Sequence, residues 1–301
     1  MDSIIKNREG EEMISTRQER ALSFLYESVT GRVCLKVVNR RSAAKLVGKY
    51  MNSRLSRGLI DRFIEKNGID MSVYEDRDYK CYNQFFTRKL KPECKSVCME
   101  SDALVAPCDS KLRVYPINDK SIFFIKDSPY TVKELVKNEK LAKEFRGGLC
   151  LVYRLSVDDY HRYIYFDDGA KGANTYIPGV LHTVNPISLD KYNYYKQNCR
   201  EYTVMDTEHF GRAVQIEVGA MLIGKIKNAH GACKYRRGEE KGMFEFGGST
   251  VVVLLKKNAA VIDGDIMANS GEGIETIVRI GERIGTAGRA RNTKYIKTQT
   301  V

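Results

Sequence analysis

The sequence of 301 residues contains no tryptophan, only six prolines and only four histidines. No apolar run approaches the roughly 20 residues that a membrane-spanning helix needs. The N-terminal stretch MDSIIKNREGEEM also lacks the apolar core of a secretory signal. We therefore expect neither a secreted protein nor an integral membrane protein. We expect the chain to be made and kept in the cytoplasm. Any acid–base chemistry has few histidines to draw on: His161, His182, His209 and His230.

The cysteine pattern is also uninformative for metals and disulfides. Eight cysteines are scattered along the chain without an export signal, which favours reduced thiols. The closest pair, Cys94 and Cys98, has no matching second pair, so no metal site is predicted.

Positive charge is in excess, with 50 basic and 38 acidic residues and a net charge of +12. Such an excess favours an anionic partner, which can be a nucleic acid, an acidic membrane surface or an anionic substrate. Composition does not choose among the three.

Residues 1–70 are predicted to form a basic amphipathic helical region. Apolar residues repeat at helical spacing in two stretches, and the second ends near Asn67-Gly68. The two apolar faces are Leu22, Leu25, Tyr26 and Val29, and Leu55, Leu59 and Phe63. The cations of this region fit either a solvated helix face or a surface that meets anionic head groups. Base-reading or base-stacking side chains are missing, so nucleic acid is not expected as a partner.

Residues 71–301 are predicted to form a β-rich catalytic domain. The segments 148–157, 213–218 and 249–255 are short, rich in Val, Ile and Leu, and bounded by turn residues. A helical region followed by such strands predicts the α+β class, arranged as one compact unit.

The segment Phe246-Gly247-Gly248-Ser249-Thr250 carries the strongest chemical signal. Two glycines permit unusual backbone conformations before a hydroxyl that opens an apolar strand. Taken alone, the segment fits a turn that feeds a strand. Four further segments precede it, in this order along the chain: YNQFFTRKLKP at 82–92, VAPCDS at 105–110, DYHR at 159–162 and HTVNP at 182–186.

Together these segments, with the VGAMLIGKI stretch at 218–226, resemble the phosphatidylserine decarboxylases, a family of self-processing proenzymes. The resemblance implies cleavage between Gly248 and Ser249, which gives chains 1–248 and 249–301 that stay associated as a heterodimer and can dimerise further. Ser249 would become a covalent pyruvoyl group, the only cofactor implied. Motif positions imply an Asp109–His161–Ser249 relay for processing, with His161 as a proton donor in decarboxylation. The substrate would be phosphatidylserine and the product phosphatidylethanolamine.

One position departs from the family pattern. Many relatives carry a second histidine three residues after the first, and here that position is Ile164. Either His161 serves both processing and decarboxylation, or another residue helps. His182 is the reserve candidate, although a structural role suits it better.

Three functions other than phosphatidylserine decarboxylation fit parts of the sequence. The stretch 263–287 has the rhythm of the sandwiched hairpins in lipoyl and biotinyl carrier domains, and lipoyl-like sandwiched strands are expected there; a carrier lysine in the required setting is missing. A non-enzymatic basic membrane-binding protein would leave the motifs unexplained. A pyruvoyl decarboxylase for another amino-acid-type substrate fits the motifs equally, but the basic N-terminal region favours a phospholipid at the cytoplasmic face of the cell membrane, bound by a peripheral protein.

Overall fold

The computed structural model describes residues 4–13, 41–125, 128–181, 196–219, 225–246 and 249–288. Within these ranges the helices are short. The α-helices are α1 Arg41–Met51, α2 Ile60–Asn67, α3 Tyr82–Phe86, α4 Val132–Val136, α5 Glu139–Glu144 and α6 Gly264–Gly271. Turns of 3₁₀-helix occupy Arg54–Leu59, Met71–Val73 and Pro92–Cys94.

The strands dominate the second half of the chain. In order they are β1 Ile5–Lys6, β2 Glu12–Met13, β3 Ala103–Val105, β4 Ser110–Pro116, β5 Phe123–Ile125, β6 Ser128–Tyr130, β7 Leu149–Leu155, β8 Arg162–Ile164, β9 Gly169–Lys171, β10 Thr175–Ile177, β11 Val180–Leu181, β12 Lys196–Gln197, β13 Arg200–Thr207, β14 Gly211–Val218, β15 Ile226–Asn228, β16 Cys233–Tyr235, β17 Glu240–Phe244, β18 Ser249–Leu255, β19 Ala260–Ile262, β20 Glu275–Val278 and β21 Arg283–Ala287. A helical N-terminal region before a β-rich body confirms the predicted α+β class.

One large sheet organises the body. Its strand order is β16-β9-β13-β14-β18-β7-β4-β20-β1-β2, with β10 paired to β13. Smaller sheets are formed by β15-β17-β8, by β19-β21-β3, by β11-β12 and by β5-β6. All pairs are antiparallel except β1 with β20, which is parallel.

The large sheet is covered on both faces by apolar side chains. Alternate residues of β18 point to opposite faces, so Val251 and Val253 belong to one core and Val252 and Leu254 to the other. All seven residues of β18 are buried. A strand buried on both faces needs a continuous apolar run, which explains why the sequence STVVVLL lacks polar alternation.

The N-terminal region is only partly helical. The predicted end of the second helix is confirmed, because Gly68 caps α2 in the left-handed region at φ 60°. Residues 4–13 correct the helical expectation, since they form the β1–β2 hairpin at the edge of the large sheet. The predicted helix through residues 22–29 lies outside the described residues. The division at residue 70 remains a prediction.

The C-terminal stretch 263–287 combines a helix with two strands. α6 follows β19, and then β20 joins the large sheet while β21 joins β19 and β3. The V-x-x-G-E-x-I-G rhythm therefore marks the β20–β21 connection between two sheets, and the residues before it form a helix.

Candidate active site

Four neighbouring strands bring the candidate residues to one end of the large sheet. Ser249 opens β18 opposite Leu155, the last residue of β7. Ser110 opens β4 opposite Val278, the last residue of β20. Because β18, β7, β4 and β20 are consecutive and antiparallel, the loops that precede Ser249 and Ser110 lie beside the loops that follow Leu155 and Val278.

Ser249 is buried at this end of the sheet. Strand alternation places it on the same face as Val251 and Val253, toward the core that also contains Tyr153 and Leu155. Gly247 and Gly248 lie outside the described residues, and the predicted cleavage bond with them.

The loop that leads to Ser249 is held by α3. The backbone N–H of Phe246 donates to Asn83 Oδ1 at 2.9 Å. The Phe246 ring meets Tyr82 and Phe86 edge-on, with both centroid distances at 5.4 Å. These contacts give the YNQFF part of the 82–92 motif a specific task, which is to fix the chain just before the two glycines.

His161 lies on the other side of Phe86. It is buried, and its ring centroid is 3.9 Å from that of Phe86. Nδ1 of His161 is 2.8 Å from the carbonyl oxygen of Asp159. A carbonyl only accepts hydrogen bonds, so Nδ1 carries the proton and the lone pair of the neutral ring is on Nε2. Nε2 is thus the atom of His161 that can act as a base.

The backbone beneath His161 is fixed by two arginines. Nη2 of Arg88 donates to the carbonyl of Asp158 at 2.9 Å and to that of Asp159 at 3.3 Å. Nη2 of Arg162 donates to the carbonyl of Thr87 at 2.8 Å, and its Nη1 donates to Glu240 at 2.7 Å. The arginines of the FFTR and DYHR segments therefore hold each other's loops.

Asp109 precedes β4 and faces the loop after β20. Its Oδ1 accepts from the backbone N–H of Ile280 at 2.8 Å, and its Oδ2 is 3.7 Å from Nη1 of Arg279. Burial raises the pKa of this carboxyl, and the nearby Asp159 carboxylate adds to the rise, while the Ile280 hydrogen bond and Arg279 oppose it. The Asp109 carboxyl, 15% exposed, therefore lies largely shielded from solvent at this end of the sheet.

The structure thus gathers three residues at one end of one sheet, with Asp109 and His161 on loops and Ser249 at the start of β18. The contacts described for Asp109 go to Ile280 and Arg279, and that of His161 Nδ1 goes to Asp159. The Asp109–His161–Ser249 relay remains a prediction. His182 lies outside the described residues.

Ile164 occupies the family's second-histidine position. It is buried with Tyr160 and Ile280 in one apolar cluster. Its backbone N–H donates to the carbonyl of Pro107 at 2.9 Å, which places it beside the loop that carries Asp109. An apolar side chain therefore lies beside the loop that carries Asp109, at the position where the family resemblance leads us to expect a second histidine.

Two buried ion pairs near the site were missed by the sequence reasoning. Lys111 Nζ is 2.8 Å from Asp159 Oδ2, and Lys241 Nζ is 2.7 Å from Glu217 Oε1. Burial raises the pKa of Glu217, and Lys241 opposes the rise. Glu217 could have been noticed, because it shares the inward register of Ala213 in β14, whereas nothing in the sequence indicates a partner for Lys111.

A cavity of about 910 Å³ lies at the opposite end of the sheet, away from Ser249. It is lined by residues of β9 and β16 and their loops, including Gly169, Tyr235 and Arg237. β9 pairs with β13 at Thr207, near the end of β14 that pairs with Leu255. We therefore assign this cavity no part in the candidate active site.

The helices α1 and α2 expose apolar and basic side chains together. Leu55, between them, is 81% exposed, and Leu46 and Tyr50 are also exposed. Exposed cations surround these residues: Lys49, Arg54, Arg57, Arg62 and Lys66. The inward face of α2 packs through Ile60 on α3, which in turn contacts Phe246 in the loop before Ser249. Over the described ranges, every helix is too short or too polar to cross a bilayer.

Comparison with known proteins agrees with the geometry. The family model for phosphatidylserine decarboxylase matches residues 82–286. The phosphatidylserine decarboxylase proenzyme 2 of Clostridium acetobutylicum is 45% identical over 288 residues, which cover 95% of this chain and 99% of that protein. A phosphatidylserine decarboxylase proenzyme of Clostridium botulinum is 41% identical over 274 residues, 89% of this chain and 93% of that protein. That of Desulfitobacterium hafniense is 36% identical over 279 residues, 91% of this chain and 94% of that protein. The resemblance inferred from the sequence motifs is confirmed, and the chain belongs to the phosphatidylserine decarboxylase family.

Proposed function

We propose that this chain is a phosphatidylserine decarboxylase proenzyme that cleaves itself between Gly248 and Ser249. The observation that carries the proposal is the position of Ser249. It is a buried serine at the start of a central strand, at the same end of the sheet as His161 and Asp109. The relatives named as proenzymes support processing, and their names supply the substrate.

Self-cleavage needs a base, because a serine hydroxyl is a weak nucleophile unaided. A base removes the Ser249 Oγ proton, and Oγ attacks the carbonyl carbon of Gly248. The C–N bond breaks, the nitrogen takes up a proton, and an ester joins the two residues. Loss of the Ser249 α-proton then expels the Gly248 carboxylate and leaves dehydroalanine. Its imine tautomer takes up water and releases ammonia, and the new chain end is a pyruvoyl group.

His161 and Asp109 are the groups proposed to move these protons. The tautomer of His161 leaves its Nε2 as the basic atom, and Phe86 fixes the ring plane. Asp109 stabilises positive charge that develops nearby when it is ionised, as carboxylates do beside catalytic histidines.

Decarboxylation uses the ketone at residue 249, which supplies an electron sink for the electrons left by departing CO2. His161 is proposed to return a proton to the substrate carbon from Nε2. With Nδ1 tied to the Asp159 carbonyl, the ring meets the substrate carbon through that one nitrogen.

The two fragments are proposed to remain a heterodimer. β18 of the small fragment lies between β14 and β7 of the large one, and β20 lies between β4 and β1. Arg8 of the large fragment forms ion pairs with Asp263 at 2.9 Å and Glu282 at 3.1 Å, and it also pairs with Asp265. Separation would expose both apolar faces of β18. Further dimerisation of this pair remains a prediction.

The enzyme is proposed to bind the membrane peripherally, at its cytoplasmic face, through α1 and α2. Each lysine or arginine near an anionic surface contributes about 1 kcal/mol. Five exposed cations around Leu46, Tyr50 and Leu55 therefore provide both attraction and apolar insertion. Because α2 packs on α3, this surface would bring the lipid to the end of the sheet that holds Ser249.

Denaturing mass spectrometry of the purified protein tests the proposal. The wild-type chain should give fragments 1–248 and 249–301, the second without a free amino group. Ser249→Ala should stay intact and inactive. Ser110→Ala is the matched control: it removes another buried hydroxyl at this end of the sheet, whose contact to the Cys108 carbonyl is long at 3.3 Å, and it should be cut. A wild-type chain that stays intact, or a cleaved Ser249→Ala chain, refutes the proposal.

A further inference from the structure

We propose that Lys111 and Asp159 form a positioning pair for the active site, in which Asp159 orients His161 and Lys111 anchors Asp159 beside Asp109. The inference rests on the proposed function and adds two residues to it. Neither residue is a catalytic group itself, because each acts through another side chain.

The pair is well defined and shielded from solvent. Lys111 Nζ donates to both carboxylate oxygens of Asp159, at 2.9 and 2.8 Å. The side chains are only 13% and 8% exposed. Exposed ion pairs contribute little, but a buried pair is costly to break because one charge is left without compensation. The pair is therefore a stiff connection between β4 and the loop after β7.

The same aspartate reaches His161 through its backbone. The carboxylate accepts from the N–H of Ser156 at 2.6 Å, and the N–H of Asp159 donates to the Ser156 carbonyl at 3.1 Å. This turn leaves the Asp159 carbonyl facing Nδ1 of His161 at 2.8 Å. Fixing the carboxylate thus fixes the carbonyl that selects the tautomer of His161.

The pair also sets the charge around Asp109. The titratable or charged groups that act on Asp109 come from its own loop, β4, the loop after β7 and the loop after β20: Cys108, Lys111, Asp159 and Arg279. Burial keeps Cys108 in its neutral form by raising its pKa well above the usual range. Lys111 and Arg279 favour the ionised Asp109, whereas Asp159 disfavours it. Arg279 is 70% exposed, so Lys111 is the shielded cation of the group.

This arrangement gives the two halves of the pair opposite effects on proton uptake. Without Lys111, Asp109 should hold its proton to higher pH. Without the Asp159 charge, Asp109 should lose its proton at lower pH. A pair that only held two loops together would move both variants alike.

The test is the rate of self-cleavage as a function of pH. The full chain is made by brief cell-free synthesis and transferred to buffers of different pH, and conversion to the two fragments is followed on denaturing gels. Lys111→Met should shift the acidic limb of the pH–rate profile, where the rate rises with pH, to higher pH. Asp159→Asn should shift the same limb to lower pH. Asp159→Asn keeps the Ser156 acceptor and the His161 carbonyl. Lys111→Met should also lower the plateau rate, by about tenfold or more, because Asp159 loses its anchor and the His161 ring its fixed orientation.

Three further variants keep the test decisive. Lys111→Arg keeps the positive charge, so its pH–rate profile should be close to that of wild type. The double variant Lys111→Met/Asp159→Asn leaves no unpaired charge of this pair, and its limb should lie between those of the single variants. Glu275→Gln is the matched control. It breaks the ion pair between Glu275 and Arg154, the residue of β7 that lies directly opposite Lys111 of β4. It should leave the limb unmoved.

The outcomes separate this inference from the proposed function. If wild type is never cut at Gly248-Ser249, the proposed function fails. If wild type is cut but the two single variants shift the limb in the same direction or not at all, the positioning pair is refuted and the proposed function stands. Opposite shifts with an unmoved Glu275→Gln profile establish the pair.

Discussion

Replacing Ile164 with histidine should accelerate self-cleavage. Ile164 packs in one cluster with Ile280, whose N–H donates to Asp109 Oδ1 at 2.8 Å. The N–H of Ile164 donates to Pro107, two residues before Asp109. We therefore expect an imidazole at this position to lie beside the Asp109 carboxylate, which is 15% exposed and can accept its N–H. The variant would supply the second histidine that the family resemblance leads us to expect at this position.

The balance of gain and cost can be worked from the site. A positioned general base contributes roughly 10²- to 10⁴-fold to a proton transfer. Removing the buried isoleucine side chain costs about 1.5–3 kcal/mol of stability. An unpartnered buried imidazole would cost about 1–3 kcal/mol more, and a hydrogen bond to Asp109 offsets that second cost. The variant should therefore be less stable than wild type yet process at least about tenfold faster.

Brief cell-free synthesis followed by denaturing gels measures this rate directly. Ile164→Leu, which keeps the site apolar, controls for repacking and should process at the wild-type rate. Ile164→His/Asp109→Asn should lose the gain, because the new histidine acts through Asp109. An Ile164→His chain that is folded at the assay temperature but is cut no faster than wild type would refute the reasoning.

The remaining predictions concern Asp109, Phe86 and Leu55. Burial raises the pKa of Asp109. Its contribution to stability is therefore present below the unfolded-state pKa of about 3.9 and is lost as pH rises through the folded-state value. Asp109→Asn should process slowly. In the uncut Ser249→Ala chain, adding Asp109→Asn should raise the melting temperature at about pH 7, and the difference should vanish near pH 3; an equal melting temperature at about pH 7 would contradict this. The Phe86 ring contacts those of Tyr82, His161 and Phe246, and each ring pair contributes about 0.5–1.5 kcal/mol. Phe86→Leu should therefore lower the free energy of unfolding in urea by about 1.5 kcal/mol or more and slow cleavage. Cleavage at the wild-type rate would exclude a role for Phe86 in positioning. Leu55→Asp should change the free energy of unfolding by less than about 0.5 kcal/mol, because the side chain is 81% exposed. It should weaken binding to phosphatidylserine vesicles, measured by sedimentation, by about tenfold or more. Unchanged sedimentation would exclude Leu55 from the membrane-binding surface.

Local sequence signals predicted the elements that build the site. The strands at 149–155, 211–218 and 249–255 follow from apolar runs between turn residues. The end of α2 follows from Gly68. The motif order placed Asp109, His161 and Ser249 in one site, and the antiparallel order β18-β7-β4 brings their loops to one end of the sheet.

Non-local pairings could not be predicted in this way. β1 has two residues, too few to show a period, and its strand partner is β20, far along the chain. The pair of Lys111 with Asp159 joins β4 to the loop after β7, whose proximity only the sheet order creates. The helix α6, Gly264–Gly271, was not predicted, because the whole stretch 263–287 was interpreted through the rhythm of sandwiched hairpins.

If the chain is cut as proposed between Gly248 and Ser249, the place of β18 in the sheet changes how the protein refolds. Before cleavage the protein is one molecule, so its refolding from denaturant is independent of concentration. After cleavage the central strand belongs to a separate 53-residue peptide, residues 249–301, which must find the rest and insert between β14 and β7. Refolding then becomes bimolecular and competes with aggregation of a large fragment that lacks its middle strand. The precursor therefore has an equilibrium stability, whereas the mature enzyme has a lifetime, set by how slowly it first opens.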